Sequence, residues 1–173
     1  MSARRPPQQY PFAIAHAETD LGHFGVCALG GLITQIVLPG DNEPTSTGQP
    51  TASDRELAGH GAAALTQFIH GNHHIDWPPY NPRVLVTAPF YRKVLAQLSF
   101  VGPGETVTYG ELARRAGNPR AVRAAAGACA ANPLPIIIGC HRVLPATGGT
   151  VGGYRGGQEL KRALLAREGY QEG

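Results

Sequence analysis

The chain has 173 residues, 42% of them hydrophobic and 16% charged, with a formal net charge of +3. This composition suits one good core or two small packed ones, and it excludes a disordered, collagen-like or coiled-coil chain. No apolar run approaches a membrane span, and the basic residues among the first eleven positions have no apolar stretch behind them, so a cytoplasmic protein without a membrane partner is expected.

Three short apolar runs, Phe12–Ala15, Phe24–Ala28 and Leu32–Leu38, are separated by the polar stretch Glu18–Gly22 and by Gly30-Gly31, which predicts an antiparallel meander. Residues 39–52 turn to Gly, Asp, Asn, Pro, Ser and Thr and read as a surface loop. Ser53-Asp54-Arg55-Glu56 has the form of a capping box, and Leu57, Ala64, Leu65, Phe68 and Ile69 then recur at helical spacing, predicting a helix to about His70 that covers the meander. His70, His73 and His74 cluster where this helix ends; with no evident third and fourth ligand type they fit a solvated loop better than zinc, and no metal ligands are assigned. Pro78, Pro79 and Pro82 make an extended connection, followed by a short strand from Val84 to Val86.

Charge then changes sign. Residues 1–91 carry four Lys/Arg and seven Asp/Glu, residues 92–173 eleven and five, so the second half is the one suited to a polyanion. Thr87 is placed to cap a helix with Phe90, Val94 and Leu98 on one stripe, ending before Gly102-Pro103-Gly104. Thr108-Tyr109-Gly110-Glu111 is a second capping box for a short helix that stops at Gly117. Asn118-Pro119 starts a third helix and Asn132-Pro133 ends it, and two helices joined by a tight glycine-containing turn suggest a helix-turn-helix. In the third helix Val122, Ala125, Ala126 and Cys129 form one stripe, and Ala124, Gly127, Ala128 and Ala131 a second without large side chains. Such a smooth stripe serves close helix packing as well as approach to a nucleic-acid groove. The neighbouring Arg120 and Arg123 favour the groove.

Cysteines at 27, 129 and 140 are an odd set without a pairing framework, as expected of free thiols in a reducing compartment. Ile136–Ile138, β-branched between Pro135 and Gly139, predicts a buried strand that delivers Cys140 to a turn beside His141 and Arg142. A thiol near its ordinary pKa is only a few per cent ionised at neutral pH, so a reactive cysteine needs a basic or cationic neighbour. Cys140 has that setting, and Cys27 reads as an inert core residue.

The stretches Asn132-Pro133 through Cys140-His141-Arg142-Val143, Gly152–Gly157 and Leu164–Glu168 resemble the O6-alkylguanine-DNA alkyltransferases, and the likeness extends upstream through Gly104–Tyr109 and Gly117–Arg123. It covers Phe90 to Glu168, and the amino-terminal half matches only loosely. The resemblance implies an α/β (α+β) fold: a small ribonuclease-H-like amino-terminal domain over 1–86, then a helix-turn-helix, winged-helix-like domain over 87–173 for DNA binding and chemistry. It implies a DNA-repair methyltransferase that flips an O6-alkylguanine, or O4-alkylthymine, through the minor groove and transfers the alkyl group to Cys140 once, with no cofactor. By resemblance His141 is the base, Glu168 orients it, Tyr109 donates toward guanine N3 and Asn132 is the hinge. Helical spacing from Leu160 and Leu164 independently turns Glu168 to the apolar side, where it needs a partner. Arg123 inserts into the base stack, with Arg120, Ala124, Gly127 and Ala128 on the DNA-facing helix. Val143, Cys129, Tyr154, Arg155 and Gly156 belong to the substrate pocket. A monomer on double-stranded DNA is expected, with cooperative binding left open. Some relatives hold a structural zinc in the amino-terminal half, but its ligands have no match here. Two departures stand out: Gly139 where the family has proline, and Ala126 where relatives often have glycine. Loss of the φ constraint at 139 is expected to aim the thiol less well. A non-reactive damage-binding protein of the same fold and a cysteine hydrolase are the alternatives.

Overall fold

The computed structural model describes residues 10–171, so the basic Arg4 and Arg5 lie outside the described residues. Strands β1 (Ala13–Thr19), β2 (Gly22–Leu29) and β3 (Leu32–Val37) form the expected antiparallel meander in that order. Its second turn takes Gly30 and Gly31 at φ of 62° and 78°, a left-handed pair that only glycine adopts without cost. Helix α1 (Ala52–Ile69) covers one face so closely that a Cβ on Gly61 would stand 2.7 Å from Val26. Cys27 alternates with Val26 and Ala28, faces the other way, and joins Phe12 and Val37 in a small separate cluster.

The cap of α1 lies two residues before the expected box. Thr51 Oγ accepts from Asp54 N at 3.0 Å and donates to Asp54 Oδ2 at 2.8 Å, while Asp54 Oδ1 accepts from Gly31 N at 3.0 Å. One buried carboxylate thus fixes both the helix start and the β2–β3 turn. The strand expected at Val84–Val86 is instead a single helical turn, α2 (Pro82–Leu85), because Asn81 Oδ1 accepts from Arg83 N at 3.0 Å and Pro82 opens the turn. Helix α3 (Pro89–Leu98) starts on Pro89 without a side-chain cap, so Thr87 does not play the expected part.

In α4 (Tyr109–Arg115), Thr108 Oγ accepts from Glu111 N at 3.1 Å as the capping box predicts. The Glu111 carboxylate is spent on Arg114 and Arg115 rather than on the cap backbone. Helix α5 (Val122–Ala130) begins later than Asn118-Pro119 would suggest: Asn118 Oδ1 accepts from Arg120 N and its carbonyl from Ala121 N, forming the turn between the two helices. Two short strands that sequence patterning did not reveal, β4 (Val107–Thr108) and β5 (Val143–Leu144), pair in parallel and bring the start of α4 beside the Cys140 segment. Helix α6 (Gln158–Arg167) closes the described chain. The fold is α+β, and the main core cluster runs from Ile36 of β3 and the following Leu38 through Val94, Leu112 and Ala125 to Leu134 and Leu164. No described helix is long and apolar enough to cross a membrane.

Candidate active site

The segment that presents Cys140 is not a strand. Residues 136 and 137 form a turn between Pro135 and Ile138; Ile138 N donates to Leu134 O at 2.8 Å, and Ile136 stands at φ of 75°. A β-branched residue there is strained, and burial of the whole run is what holds it. The isoleucines therefore report burial, not extended backbone. Asn132, 1% exposed, ties the turn at both ends: its Nδ2 donates to Ile138 O at 2.8 Å and its Oδ1 accepts from Leu134 N at 3.0 Å. Pro133 O accepts from Ile36 N at 2.9 Å, anchoring the segment to the edge of β3.

Gly139 follows at φ −69°, ψ 63°, and Cys140 N donates to Ile138 O at 2.7 Å, an inverse γ-turn. This φ is the one proline would impose, although a glycine does not lock it. Glycine provides room instead: a Cβ here would lie 2.5 Å from Arg142 Nη1 and 2.6 Å from its Cζ. Cys140, His141 and Arg142 form one 3₁₀ turn, all three buried.

Arg142 does not face the thiol. Its Nη1 donates to Val101 O at 2.6 Å, and its Nε and Nη2 reach Glu168 at 3.0 and 2.9 Å. Glu168, at the end of α6, also accepts from His141 Nε2 at 2.7 Å and from Gly104 N at 3.0 Å. Burial would raise the Glu168 carboxyl, but the hydrogen bonds from His141 and Arg142, with the guanidinium charge, outweigh it and hold it at about 2. His141 is pulled below its ordinary value, chiefly by burial, against the opposing pull of Glu168. It is therefore neutral near pH 7. A carboxylate can only accept, so Nε2 carries the hydrogen and Nδ1 keeps the lone pair; Nδ1 is buried and has no hydrogen-bond partner among the described residues. The arrangement is a buried, neutral, carboxylate-oriented base one residue from a thiol.

Cys140 is 5% exposed and opens on a cavity of about 580 Å³ lined by Leu38, Tyr109, Ala126, Cys129, Ala130, Asn132, Pro135, Gly153, Tyr154 and Arg155. Burial raises its pKa, opposed by the Asn132 amide and by the charges of Arg155 and Lys161. Burial likewise pushes the Tyr109 phenol to about 12, so it remains a donor. Val143 and Gly156, expected at the pocket, do not line it. Val143 O accepts from Lys161 Nζ at 2.7 Å, and Gly156 packs where a Cβ would meet Leu160 at 2.6 Å.

The DNA-facing stripe also needs correction. Ala128 is fully buried, and a Cβ on Gly127 would meet Tyr91 Oη at 2.4 Å, so these two positions serve packing of α5 against its neighbours, whereas Ala131 of the same stripe is exposed. The cavity side of α5 carries Ala126, Cys129 and Ala130, with Val122 exposed. Arg120 and Arg123 are exposed at the inter-helix turn and the start of α5, and Ala124 is half-buried.

Sequence reasoning missed one cation. Lys161 is fully buried, donates to Val143 O and Gly153 O, and lies 5.9 Å from the Tyr109 ring centre. It sits seven residues before Glu168, on the same apolar face, so the periodicity that located Glu168 could have found it too. Arg155 donates to Asn132 O at 3.0 Å and pairs with Asp41 at 3.2 Å, joining the cavity wall to the loop after β3. Of the terminal histidines, His73 Nε2 bonds Arg167 O at 2.8 Å, and His70 and His74 are exposed.

The family model described as "6-O-methylguanine DNA methyltransferase, DNA binding domain" matches residues 89–170. A crystal structure of Mycobacterium tuberculosis O6-methylguanine methyltransferase superposes with a TM-score of 0.75 at 30% identity, covering 91% of this chain and 92% of that one. The methylated-DNA–protein-cysteine methyltransferase of Homo sapiens is 45% identical over 97 residues, 56% of this chain and 46% of the human one. That of Methanothermobacter thermautotrophicus is 48% identical over 80 residues, 46% of this chain and 44% of its own. The match thus spans less than half the length of these two relatives.

Proposed function

The chain belongs to the O6-methylguanine-DNA methyltransferase family, and from that premise we propose that it repairs alkylated DNA by moving the alkyl group from guanine O6 to its own Cys140. The observation that carries this reading is the thiol at the floor of a cavity, next to a neutral histidine whose buried Nδ1 is free and whose Nε2 is held by Glu168. In this reaction the Cys140 Sγ–carbon bond forms as the carbon–O6 bond breaks, and guanine leaves. The thiol proton passes through a water to His141 Nδ1, which needs a base because burial keeps Cys140 protonated at rest. Tyr109 lines the cavity as a protonated phenol and donates to guanine N3 as negative charge grows there. The product is a thioether that no group in the cavity hydrolyses, so each molecule acts once.

A base in a duplex cannot reach the cavity, so the damaged nucleotide is extruded, at a cost of a few kcal/mol that weakened pairing reduces. We assign Arg123, on the first turn of α5, to the gap it leaves, Arg120 to the neighbouring phosphates and Asn132 to fixing the thiol-bearing turn. O4-alkylthymine is a second substrate under this reading. Residues 1–86 then act as the supporting domain and 87–173 as the reacting one, in a monomer working in the reducing cytoplasm. Titrating a duplex with one O6-methylguanine against the protein tests this: repaired duplex is expected to stop at one per protein molecule. Continued turnover would point to a hydrolase, and binding without repair to a damage-recognition protein.

A further inference from the structure

We infer that His16, His23 and Glu43 form a binding site for a divalent transition-metal ion on the outer face of the amino-terminal sheet. The strand register builds it. His16 of β1 lies opposite Gly25, and Glu18 opposite His23, so the two histidines are diagonal neighbours on one sheet face. Their rings stack with centroids 4.7 Å apart. Glu43 reaches in from the loop after β3, its Oε2 2.9 Å from His16 Nε2. One donor atom from each of the three lies within 4.8 Å of the others, and among the described residues no other trio of His, Cys, Asp or Glu comes so close. A tetrahedral ion with bonds of about 2.0–2.2 Å has donor–donor edges of roughly 3.4 Å, so small rotations of these exposed side chains close the shell around an ion, with water in the fourth position.

Glu18 adds the outer support such sites use. Its carboxylate holds His23 Nδ1, which leaves Nε2 as the metal donor and fixes the ring. Two imidazoles and a carboxylate suit Zn²⁺, Ni²⁺ or Cu²⁺, not Ca²⁺ or Mg²⁺. The site is separate from the histidines that close α1 and from the cavity at Cys140. Its effect is mechanical: the loop bearing Glu43 is fastened elsewhere by Asp41, which pairs with Arg155, and the ion supplies a second fastening to the sheet.

Zn²⁺ titrated calorimetrically into the full chain, stripped by chelator and kept reduced with a phosphine, is expected to show one saturable site and a raised melting temperature. His16→Ala and His23→Ala should remove that site, and Glu43→Gln, a near-isosteric loop change, should weaken it by at least about tenfold. Cys140→Ala and His73→Ala should keep it, and Co²⁺ should give tetrahedral d–d bands without a thiolate charge-transfer band. The inference is overturned by no saturable binding, by a site that survives both histidine changes, or by one lost on Cys140→Ala.

Discussion

Cys27 and Cys140 are both buried thiols, at 0% and 5% exposure, in two regions built differently. Cys27 lies in the middle of β2 between Phe12 and Val37, where burial, helped by the negative charge of Glu43, pushes it to about 12. Cys140 is also raised by burial, but an amide from Asn132 and cations from Arg155 and Lys161 pull against that rise, and the thiol opens on a cavity. A buried cysteine becomes a candidate nucleophile when polar groups from distant parts of the chain converge on it. Apolar context alone describes Cys27 equally well.

The sharpest break of this contrast is substitution of the thiols themselves. Cys140→Ala is expected to abolish alkyl transfer to the protein, while Cys27→Ala should leave the transfer rate within about twofold and lower only the melting temperature, by the small cavity term of a core truncation. Glu168→Gln comes next, because it leaves Arg142 and the oriented face of His141 without their carboxylate. Removing one member of a buried pair costs about 3–5 kcal/mol, and transfer measured below the new melting point is expected to fall by roughly 100-fold as His141 loses orientation and basicity.

The same carboxylate gives a pH signature. Its folded pKa of about 2 lies below the ordinary 4.5, so its stabilisation is complete above about pH 4.5 and is lost as pH falls toward 2, a loss of about 3 kcal/mol. His141, also held low, acts in the same direction below its ordinary value of 6.5, since the unfolded chain binds that proton more readily. Urea midpoints measured from pH 7 to pH 3 should fall steadily, and in Glu168→Gln the fall below pH 4.5 should flatten.

Gly139→Pro has a smaller expected effect. The backbone already holds the φ of proline, so transfer is not expected to quicken, and the new Cβ must displace an Arg142 guanidinium gripped by Glu168 and Val101. A destabilisation of about 1–3 kcal/mol follows, read as a lower urea midpoint. Smallest is Arg155→Ala, which removes a half-exposed ion pair and a carbonyl contact: about 1 kcal/mol in stability, with wider acceptance of bulky O6 groups in competition assays.

Much of this was legible in the sequence. The three-strand meander, the Thr108 cap, the helix-turn-helix and the apolar-facing Glu168 all follow from turn residues and periodicity, which are local signals. The failures came where tertiary burial overrode local preference. Ile136–Ile138 looks extended but turns through a left-handed isoleucine, and the smooth stripe of α5 packs inward through Gly127 and Ala128. Arg142, two residues from Cys140, reads as the thiol's cation, yet the 3₁₀ turn sends it to Glu168, and the cations that act on Cys140 come from Arg155 and Lys161.

The central claim is that Cys140 is the acceptor. Intact-protein mass spectrometry after equimolar mixing with a duplex holding one O6-methylguanine, followed by peptide mapping, tests it most directly. One added methyl group on the peptide containing Cys140, absent in Cys140→Ala and present in Cys27→Ala, is the predicted result. An unmodified protein that still prefers the damaged duplex, or a methyl group on Cys129 or Cys27, would contradict it.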